Sequence, residues 1–345
     1  MNYASKVVGN LRNQEIVAHN IKAENGFEVE ILNLGGIITK IIVPDKDGNL
    51  ENVVVGYKNI ESYYENPSYF GAIIGRTSGR ICEGKVNIEG KEYNLNKNYG
   101  LHQGHGGNIG LSSKIFNVTV EEEKDYVNLV LSTKLDDNEE NYPGNLDVKV
   151  AFKIGENYIE ETYKGKSDKT TLVNMTNHTY FNLSGNLKSP VTEQYMKLNS
   201  SKLVEIDDTC VPTGKLLDVD NTPFDFRELK LIGKDIDDSH EQIKIGAGYD
   251  HPFLLDEDKI IYIEDKTSQR CMTINTNQKS VVIYSMNYTD DEVLYNDRKN
   301  QRRHGICFET QAPPIGRDMC FIEDSLLQKD EKYLQKTVYK FGLTK

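Results

Sequence analysis

Apolar and polar residues alternate with a period of two along much of this 345-residue chain. Residues 127–131 keep an apolar side chain at every second position, and the same spacing recurs over residues 146–154. A Gly155-Glu156-Asn157 turn follows, and the alternation resumes at Tyr158. Because successive side chains point to opposite faces of a β-strand, this period predicts antiparallel strands joined by hairpins.

Turn signals and scarce helical periodicity extend this picture to the whole chain. Asp47-Gly48 and Glu89-Gly90 lie between short apolar runs, as hairpin turns do. The best helix candidates are brief, at residues 59–65 and 226–231. No fixed-period repeat, low-complexity tract or flexible linker divides the sequence. We therefore predict an all-β fold, one large antiparallel β-sandwich domain over residues 1–345 with a few short helices.

Composition narrows the class of partner. Lys and Arg total 41 against 53 Asp and Glu, a net charge of -12, which argues against a nucleic-acid partner because such binding depends on clustered positive charge. No apolar run is long enough for a signal peptide or a membrane span. Five widely spaced cysteines without a CxxC pair indicate reduced thiols. We expect a cytoplasmic protein without a membrane partner.

Residues 171–183 are rich in β-branched and aromatic side chains, which predicts one continuous strand. One face of that strand would carry neutral hydrogen-bonding groups: Asn174, Thr176, His178, Tyr180 and Asn182. Such a row, with an imidazole at its centre, suits the floor of a cleft for a hydroxyl-rich ligand. An ordinary solvent-facing sheet surface explains the same pattern equally well.

Glu309 lies in the mostly apolar run 305–311, just before Pro313-Pro314, a pair that cannot continue a β-ladder. A carboxylate in such a strand is poorly solvated, which raises its pKa and makes it a better base near neutral pH. A salt bridge to Arg302 or Arg303 is an equally good interpretation of Glu309.

Three further segments offer candidate ligand contacts. The glycines around His105 would let a ligand approach the backbone closely. His102 lies nearby, but a Gly-rich loop lacks the additional ligands of a zinc site, so we predict no metal. Asp250 lies in a Tyr-Asp-His-Pro segment typical of an ordered loop. Arg76 ends a probable strand, where its five donors could hold hydroxyls or simply face solvent.

Taken in order, these segments resemble the aldose 1-epimerase family, also called galactose mutarotases. The similarity runs from about Gly35 to Phe341. The motifs that carry it are Gly75-Arg76 with Arg80-Ile81, His105-Gly106-Gly107, Tyr142-Pro143-Gly144, Asn177 to Leu183, Val211-Pro212-Thr213-Gly214, Thr222 to Arg227, Gly248-Tyr249-Asp250-His251 and Glu309-Thr310-Gln311.

The resemblance implies a β-sandwich of the galactose mutarotase-like (supersandwich) type with an open, cofactor-free cleft. It implies that His178 is the general acid and Glu309 the general base. It assigns sugar hydroxyls to Arg76, His105 and Asp250, and Tyr180 offers a stacking face.

The implied activity is interconversion of the α and β anomers of a free hexose such as galactose or glucose. Anomer exchange requires one base for the C1 hydroxyl and one acid for the ring oxygen, which an imidazole and a carboxyl group can supply without a cofactor. The expected partner is a small-molecule sugar, and the expected state is a monomer or homodimer.

The sequence departs from the family pattern at four positions. Gly79 stands where many members carry Asn, Gly104 where Leu is usual, Val282 where we expect Gln, and Met286 where we expect Gly. These departures concern substrate preference more than the reaction.

Rival functions remain open at this point. A hexose-6-phosphate epimerase of the same fold could use the basic run 298–303 for phosphate, although a solvated loop explains that run better. A glycoside hydrolase would depend on two carboxylates. A non-catalytic sugar-binding protein would use the same polar face without turnover.

Overall fold

Alternating apolar residues form β-strands along most of the chain. The computed structural model describes residues 1–344, and these contain 28 strands and two short α-helices. The first fourteen strands are β1 (Asn2–Leu11), β2 (Gln14–Lys22), β3 (Glu28–Leu32), β4 (Ile38–Pro44), β5 (Leu50–Asn52), β6 (Ile73–Ile74), β7 (Arg80–Ile81), β8 (Lys85–Ile88), β9 (Lys91–Asn94), β10 (Gln103–Gly104), β11 (Asn117–Glu122), β12 (Val127–Leu135), β13 (Leu146–Ile154) and β14 (Tyr158–Ser167). The others are β15 (Thr171–Leu172), β16 (Thr176–Asn177), β17 (Tyr180–Phe181), β18 (Tyr195–Leu198), β19 (Lys202–Ile206), β20 (Pro212–Asp218), β21 (Lys230–Leu231), β22 (Asp250–Leu254), β23 (Ile260–Glu264), β24 (Arg270–Thr276), β25 (Ser280–Tyr284), β26 (Ile306–Gln311), β27 (Leu326–Leu327) and β28 (Lys332–Leu343). The helices are α1 (Ser62–Glu65) and α2 (Glu241–Gly246).

Three sheets account for most of these strands. A nine-stranded sheet has the order β11-β12-β13-β14-β28-β24-β23-β18-β21, and a six-stranded sheet has the order β17-β26-β25-β22-β19-β20. A five-stranded sheet takes β1 to β5 in chain order. All strand pairs within them are antiparallel, which confirms the predicted all-β class.

The core lies where the three sheets face one another. One apolar cluster joins Ile31 of the five-stranded sheet, Phe152 of the nine-stranded sheet and Phe308 of the six-stranded sheet. The Phe181 ring stacks on the Tyr339 ring of β28 with centroids 5.4 Å apart, so the first strand of the six-stranded sheet packs directly on the nine-stranded sheet. One face of the six-stranded sheet is therefore fixed against the core.

The hairpins predicted from turn residues are present. β13 and β14 pair across the Gly155-Glu156-Asn157 turn, with Ile154 opposite Ile159. Asp47-Gly48 connects β4 to β5, and Glu89-Gly90 connects β8 to β9. Period-two alternation and turn chemistry were sufficient here because each hairpin is a local structure.

Three predictions about individual elements need correction. Residues 171–183 form no single strand but the short strands β15, β16 and β17, because each pairs with a different partner: β27, β6 and β26. Residues 226–231 contain no helix and end in β21. The segment 59–65 does contain α1, whereas α2 was not predicted because six residues carry too little periodicity. Neither helix among the described residues is long and apolar enough to cross a bilayer.

Candidate active site

A cavity of about 290 Å³ lies over the outer face of the six-stranded sheet, opposite the core. The sheet forms its floor, and segments within residues 67–105 and 288–290 form much of its walls. The lining residues are Pro67, Ser68, Tyr69, Gly79, Arg80, Tyr99, His105, His178, Tyr180, Ile206, Cys210, Pro212, Asp250, Pro252, Val282, Tyr284, Tyr288, Thr289, Asp290, Glu309 and Pro314.

Strand β26 carries Glu309 to the floor by simple alternation. Phe308 enters the apolar core, and the Thr310 hydroxyl lies 2.7 Å from the Thr337 hydroxyl of β28. Glu309 and Cys307 therefore project from the opposite face, towards the cavity side. All six residues of β26 are buried, so the local sequence does not show which face of the strand lies on the core and which on the cavity.

His178 lies beside Glu309. It follows β16 and precedes β17, and its backbone N–H donates to the Ala72 carbonyl at 2.9 Å. The imidazole Nε2 is 3.4 Å from Glu309 Oε1, and both side chains are almost completely buried. The structure thus brings together the imidazole and the carboxyl group that the resemblance names as acid and base.

His105 approaches the same pair from the glycine-rich loop after β10. Its ring stands edge-on to the His178 ring, with centroids 5.4 Å apart. Its Nδ1 accepts a hydrogen bond from the Gly79 backbone N–H at 3.4 Å. Gly106 next to it is required as glycine, because φ is +88° and an added Cβ would lie 1.9 Å from the Gly75 carbonyl oxygen.

Arg80 and Asp250 form the charged wall of the cavity. Arg80 Nη1 is 3.8 Å from Asp250 Oδ2, and the guanidinium lies over the Tyr99 ring at 5.2 Å. Arg80 reaches this place because β7 pairs with β10 in a register that sets Arg80 opposite Gly104, next to His105.

The structure does not bring Arg76, which was predicted to contact substrate, to the cavity. Arg76 does not line the cavity, and 2% of its surface is exposed. Its Nη1 donates to the carbonyls of Pro143 and Gly144 at 2.9 and 3.0 Å, so the guanidinium fastens the 142–144 turn. Arg80, four residues later in the same motif, lines the cavity instead. Nothing in the local sequence indicates which of the two arginines reaches it.

Tyr180 and several aromatic residues that sequence reasoning missed line the site. The Tyr180 ring lies 5.0 Å from the His178 ring, and its hydroxyl donates to the Ser68 carbonyl at 2.9 Å. Tyr69 lies 5.9 Å from His178, and Tyr284 lies 6.3 Å from it, both measured between ring centroids. No spacing in the sequence signals Tyr69 or Tyr284, since the fold alone brings them to the cavity.

The remaining members of the predicted polar row are structural. Asn174 donates to the Ala312 carbonyl and accepts from the Ala312 N–H, both at 3.0 Å. Thr176 donates to the Thr310 carbonyl at 2.9 Å, and Asn182 donates to the carbonyls of Ser189 and His304. These groups are buried and link segments of backbone, so only His178 and Tyr180 of the row reach the cavity.

Burial shifts the ionisation of the central pair in opposite directions. Burial raises the pKa of Glu309 to about 8, the negative charge of Asp250 adds to the rise, and Arg80 opposes it. Burial lowers the pKa of His178 to about 4. Burial also lowers the pKa of His105 well below its usual value, and His178 and Arg80 add to that effect. Between these limits the His178–Glu309 pair holds one transferable proton.

Among residues 1–344, the ligand atoms of His105, His178 and Glu309 lie within 4.8 Å of one another, close enough to face a metal ion. Metal-bound histidines usually donate their other ring N–H to an acceptor. His105 Nδ1 instead accepts from the Gly79 N–H, which leaves the ring proton on Nε2, the atom that would bind the metal. The cluster suits proton transfer better than metal binding, and His102 is not part of it.

The four departures from the family pattern have distinct positions. Gly79 has φ of +74°, a conformation that Asn also tolerates, and Met286 is buried with φ of +49° where glycine would be unstrained. At Gly104 an added Cβ would lie 2.7 Å from the Tyr99 ring, so the small residue makes room for Tyr99. Val282 lies on the cavity floor and offers no hydrogen bond there.

The chain matches known proteins along nearly its whole length. Residues 18–340 match the family model described as aldose 1-epimerase. Galactose mutarotase of Mus musculus is 31% identical over 92% of this chain and 92% of its own length. Aldose 1-epimerase of Haemophilus influenzae is 32% identical over 85% of this chain and 86% of its own.

A solved structure gives the same result for the fold. The crystal structure of galactose 1-epimerase from Lactobacillus acidophilus NCFM matches with a TM-score of 0.90 at 25% identity, covering 100% of this chain and 99% of that chain. The galactose mutarotase-like sandwich expected from the resemblance is therefore the observed fold. Since the family match extends over residues 18–340 and relatives reach 30% identity or more, the chain belongs to the aldose 1-epimerase family of isomerases.

Proposed function

We propose that this protein is a mutarotase that interconverts the α and β anomers of free hexoses such as galactose and glucose. The observation that carries the proposal is the buried pair His178–Glu309, 3.4 Å apart on the floor of the cavity. The relatives named galactose mutarotase and aldose 1-epimerase support the choice of reaction.

The pair can perform anomer exchange with one shared proton. The basic partner removes the proton from the C1 hydroxyl while the acidic partner protonates the ring oxygen, so the bond between C1 and O5 breaks and a C1 carbonyl forms. After rotation about the C1–C2 bond, O5 attacks the other face of that carbonyl, gives its proton back, and the C1 oxygen regains its own. In the assignment we favour, the shared proton passes from the Glu309 carboxyl group to His178 Nε2 when sugar binds. His178 is then the acid and Glu309 the base for opening, and they exchange roles for closing.

The walls of the cavity supply binding and charge stabilisation. We assign Arg80, in place of Arg76, to the sugar hydroxyls together with Asp250 and His105. His105 presents a ring N–H when Nδ1 accepts from Gly79, so it can donate to an oxygen on which negative charge develops. Tyr180 and Tyr69 offer aromatic faces to the apolar face of the pyranose.

The phosphosugar alternative has less support. Among the cavity-lining residues of the described chain, Arg80 is the one Lys or Arg, and Asp250 lies against it. Arg303 of the basic run is held by Ser285 and the Ala247 carbonyl rather than facing the cavity. A dianionic phosphate is bound best by several cationic groups, and this cavity offers one, already paired with a carboxylate.

Polarimetry of freshly dissolved α-galactose, α-glucose and α-glucose 6-phosphate tests the proposal. We expect the purified protein to accelerate mutarotation of the free hexoses. Turnover of the 6-phosphate alone would refute the substrate choice. A His178→Ala protein that binds galactose with unchanged affinity and keeps full rate would refute the mechanism, and sugar binding by a wild-type protein without turnover would favour the non-catalytic alternative.

We further propose that the chain works in the cytoplasm as one folded domain, as a monomer or homodimer. All five cysteines are free, as in a reducing compartment. One apolar cluster includes residues from Ile21 to Phe341, which supports a single cooperative unit. Two separate calorimetric transitions, or a larger mass in size-exclusion chromatography with light scattering, would contradict these statements.

A further inference from the structure

The imidazole of His178 has a second neighbour that the proposed mechanism does not use. Cys307 Sγ lies 3.5 Å from His178 Nδ1, on the side of the ring away from Glu309, and Cys307 is completely buried. The contact is a consequence of strand pairing, because Cys307 lies two residues before Glu309 on the same face of β26 and opposite Tyr180 in register. One strand thus touches both nitrogens of the ring.

Both nitrogens of an imidazole carry protons when it acts as an acid. The Nε2 proton is the one that faces Glu309 and the substrate, so the Nδ1 proton requires an acceptor elsewhere. Within residues 1–344, Cys307 Sγ is the one side-chain atom that hydrogen-bonds His178 Nδ1. An imidazolium N–H buried without a partner would be costly, so an acceptor at the thiol stabilises His178 whenever it is charged.

We propose that Cys307 is a positioning residue whose sulfur accepts the Nδ1–H of His178, keeping Nε2 aimed at Glu309 and the sugar. The inference rests on the proposed function, since it concerns the same acid. It assigns the thiol the orienting role that a carboxylate has in a Ser-His-Asp triad.

The resting ionisation agrees with this hydrogen-bond direction. Burial raises the pKa of the Cys307 thiol well above its usual value, so the sulfur stays a neutral thiol and not a thiolate. At neutral pH the raised pKa of Glu309 keeps a proton on the carboxyl group facing Nε2, which leaves the single ring proton for Nδ1. The groups that face the ring from all sides are Glu309, Cys307, His105, Tyr69, Tyr180 and Tyr284.

Two variants of the thiol and one matched control test the inference. Cys307→Ala removes the acceptor, and Cys307→Ser keeps an acceptor oxygen at the same position. Cys271→Ala is the control, because Cys271 lies in β24 of the nine-stranded sheet and does not line the cavity. We expect Cys307→Ala to lower kcat about 3- to 10-fold with KM changed less than about 2-fold, the loss of one hydrogen bond in the protonated state. Cys307→Ser should recover most of the rate, and Cys271→Ala should match wild type.

The proton position is measured directly by ¹⁵N NMR of the histidine-labelled protein, with His178→Gln identifying the signal. We expect a protonated Nδ1 for His178 at neutral pH in wild type and in Cys307→Ser, and a mixture of ring tautomers in Cys307→Ala. An unprotonated Nδ1 in wild type would overturn the inference, because the thiol would then be the donor. So would full activity of Cys307→Ala while His178→Ala is inactive, a result that would leave the proposed function intact. If His178→Ala is itself fully active, the proposed function fails first.

Discussion

Two buried carboxyl groups, Glu161 and Glu309, have the same ionisation and different surroundings. Burial raises the pKa of each to about 8. Glu161 lies in the interior beside Tyr163, whose hydroxyl donates to Glu161 Oε2 at 2.7 Å, and neither residue lines the cavity. Glu309 lies on the cavity floor with His178 as its neighbour.

The difference shows that a raised pKa marks burial and not catalysis. A proton held near neutral pH is useful only where a second group can exchange it and a substrate can reach it. Glu309 meets both conditions, whereas Glu161 has a tyrosine partner that stays protonated because burial raises the Tyr163 pKa far above its usual value. The position of the side chain, and not its pKa, therefore distinguishes Glu309 from Glu161 as the candidate catalytic group.

Substitution of Glu309 is the strongest way to test this contrast. Glu309→Gln keeps the shape of the side chain but removes the proton acceptor, so we expect kcat/KM for galactose to fall by about 10² to 10⁴-fold. The measurement is polarimetric rate against sugar concentration. Glu161→Gln is the matched control and should keep activity within about 2-fold. A smaller loss for Glu309→Gln than for Glu161→Gln would reverse the assignment of the two carboxyl groups.

A second prediction extends the contrast to two arginines, Arg76 and Arg80. Arg80→Met removes a donor from the cavity wall, so we expect KM to rise about 10- to 100-fold while thermal stability changes little. Arg76→Met leaves the carbonyls of Pro143 and Gly144 without their buried donor, so we expect a loss of roughly 3 kcal/mol in unfolding free energy. Steady-state kinetics and urea unfolding of both variants provide the measurement. An Arg76→Met protein of normal stability with a raised KM would restore Arg76 as a substrate contact.

The third prediction concerns the stability of Glu161→Gln, a substitution that we expect to leave the rate unchanged. The pKa of the Glu161 carboxyl group is 4.5 when exposed to solvent and about 8 when folded, so folding takes up a proton at pH values between these two. Its contribution to stability is full below about pH 4.5 and is lost as the pH rises towards about 8, on the order of 3 kcal/mol by pH 7. Glu161→Gln cannot ionise, so its unfolding free energy relative to wild type should increase between about pH 5 and about pH 8.

Urea unfolding at several pH values measures this effect. Glu160→Gln is the control, because Glu160 is partly exposed and pairs with Lys336 at the sheet surface, where a salt bridge contributes little. A pH-independent difference between Glu161→Gln and wild type would mean that Glu161 is ionised in the folded protein. That result would exclude a protonated, neutral Glu161 in the folded protein.

Local patterns predicted the local part of the fold. Strand alternation and turn residues identified the β13–β14 hairpin and the turns at residues 47–48 and 89–90, since each depends on neighbours in sequence. The segment 171–183 was misjudged because its propensity favours a strand throughout, while its three short strands pair with three different partners. Partners distant in sequence leave no signal in a single chain.

The site residues likewise include some that the sequence predicted and others that depend on pairing between distant strands. The resemblance named His178, Glu309, His105 and Asp250, and the structure gathers all four around one cavity. It named Arg76, whereas the structure places Arg80 at the cavity, because that position depends on the register between β7 and β10. Cys307 drew no attention in the sequence, where a cysteine in a buried strand is indistinguishable from an ordinary small apolar residue.

The pairing of Tyr180 with Cys307 also determines which changes of chain length the protein can accept. An insertion in the loop between β25 and β26 changes the wall of the cavity but not the pairing of β26. This loop can therefore vary in length and alter which ligands the cavity admits. A single residue added in β26 before Phe308 would exchange the faces of the residues that follow it, sending Glu309 towards the core and Phe308 towards the cavity. The length of β26 is therefore constrained by the site, and changes that alter substrate specificity are expected in the loops around it.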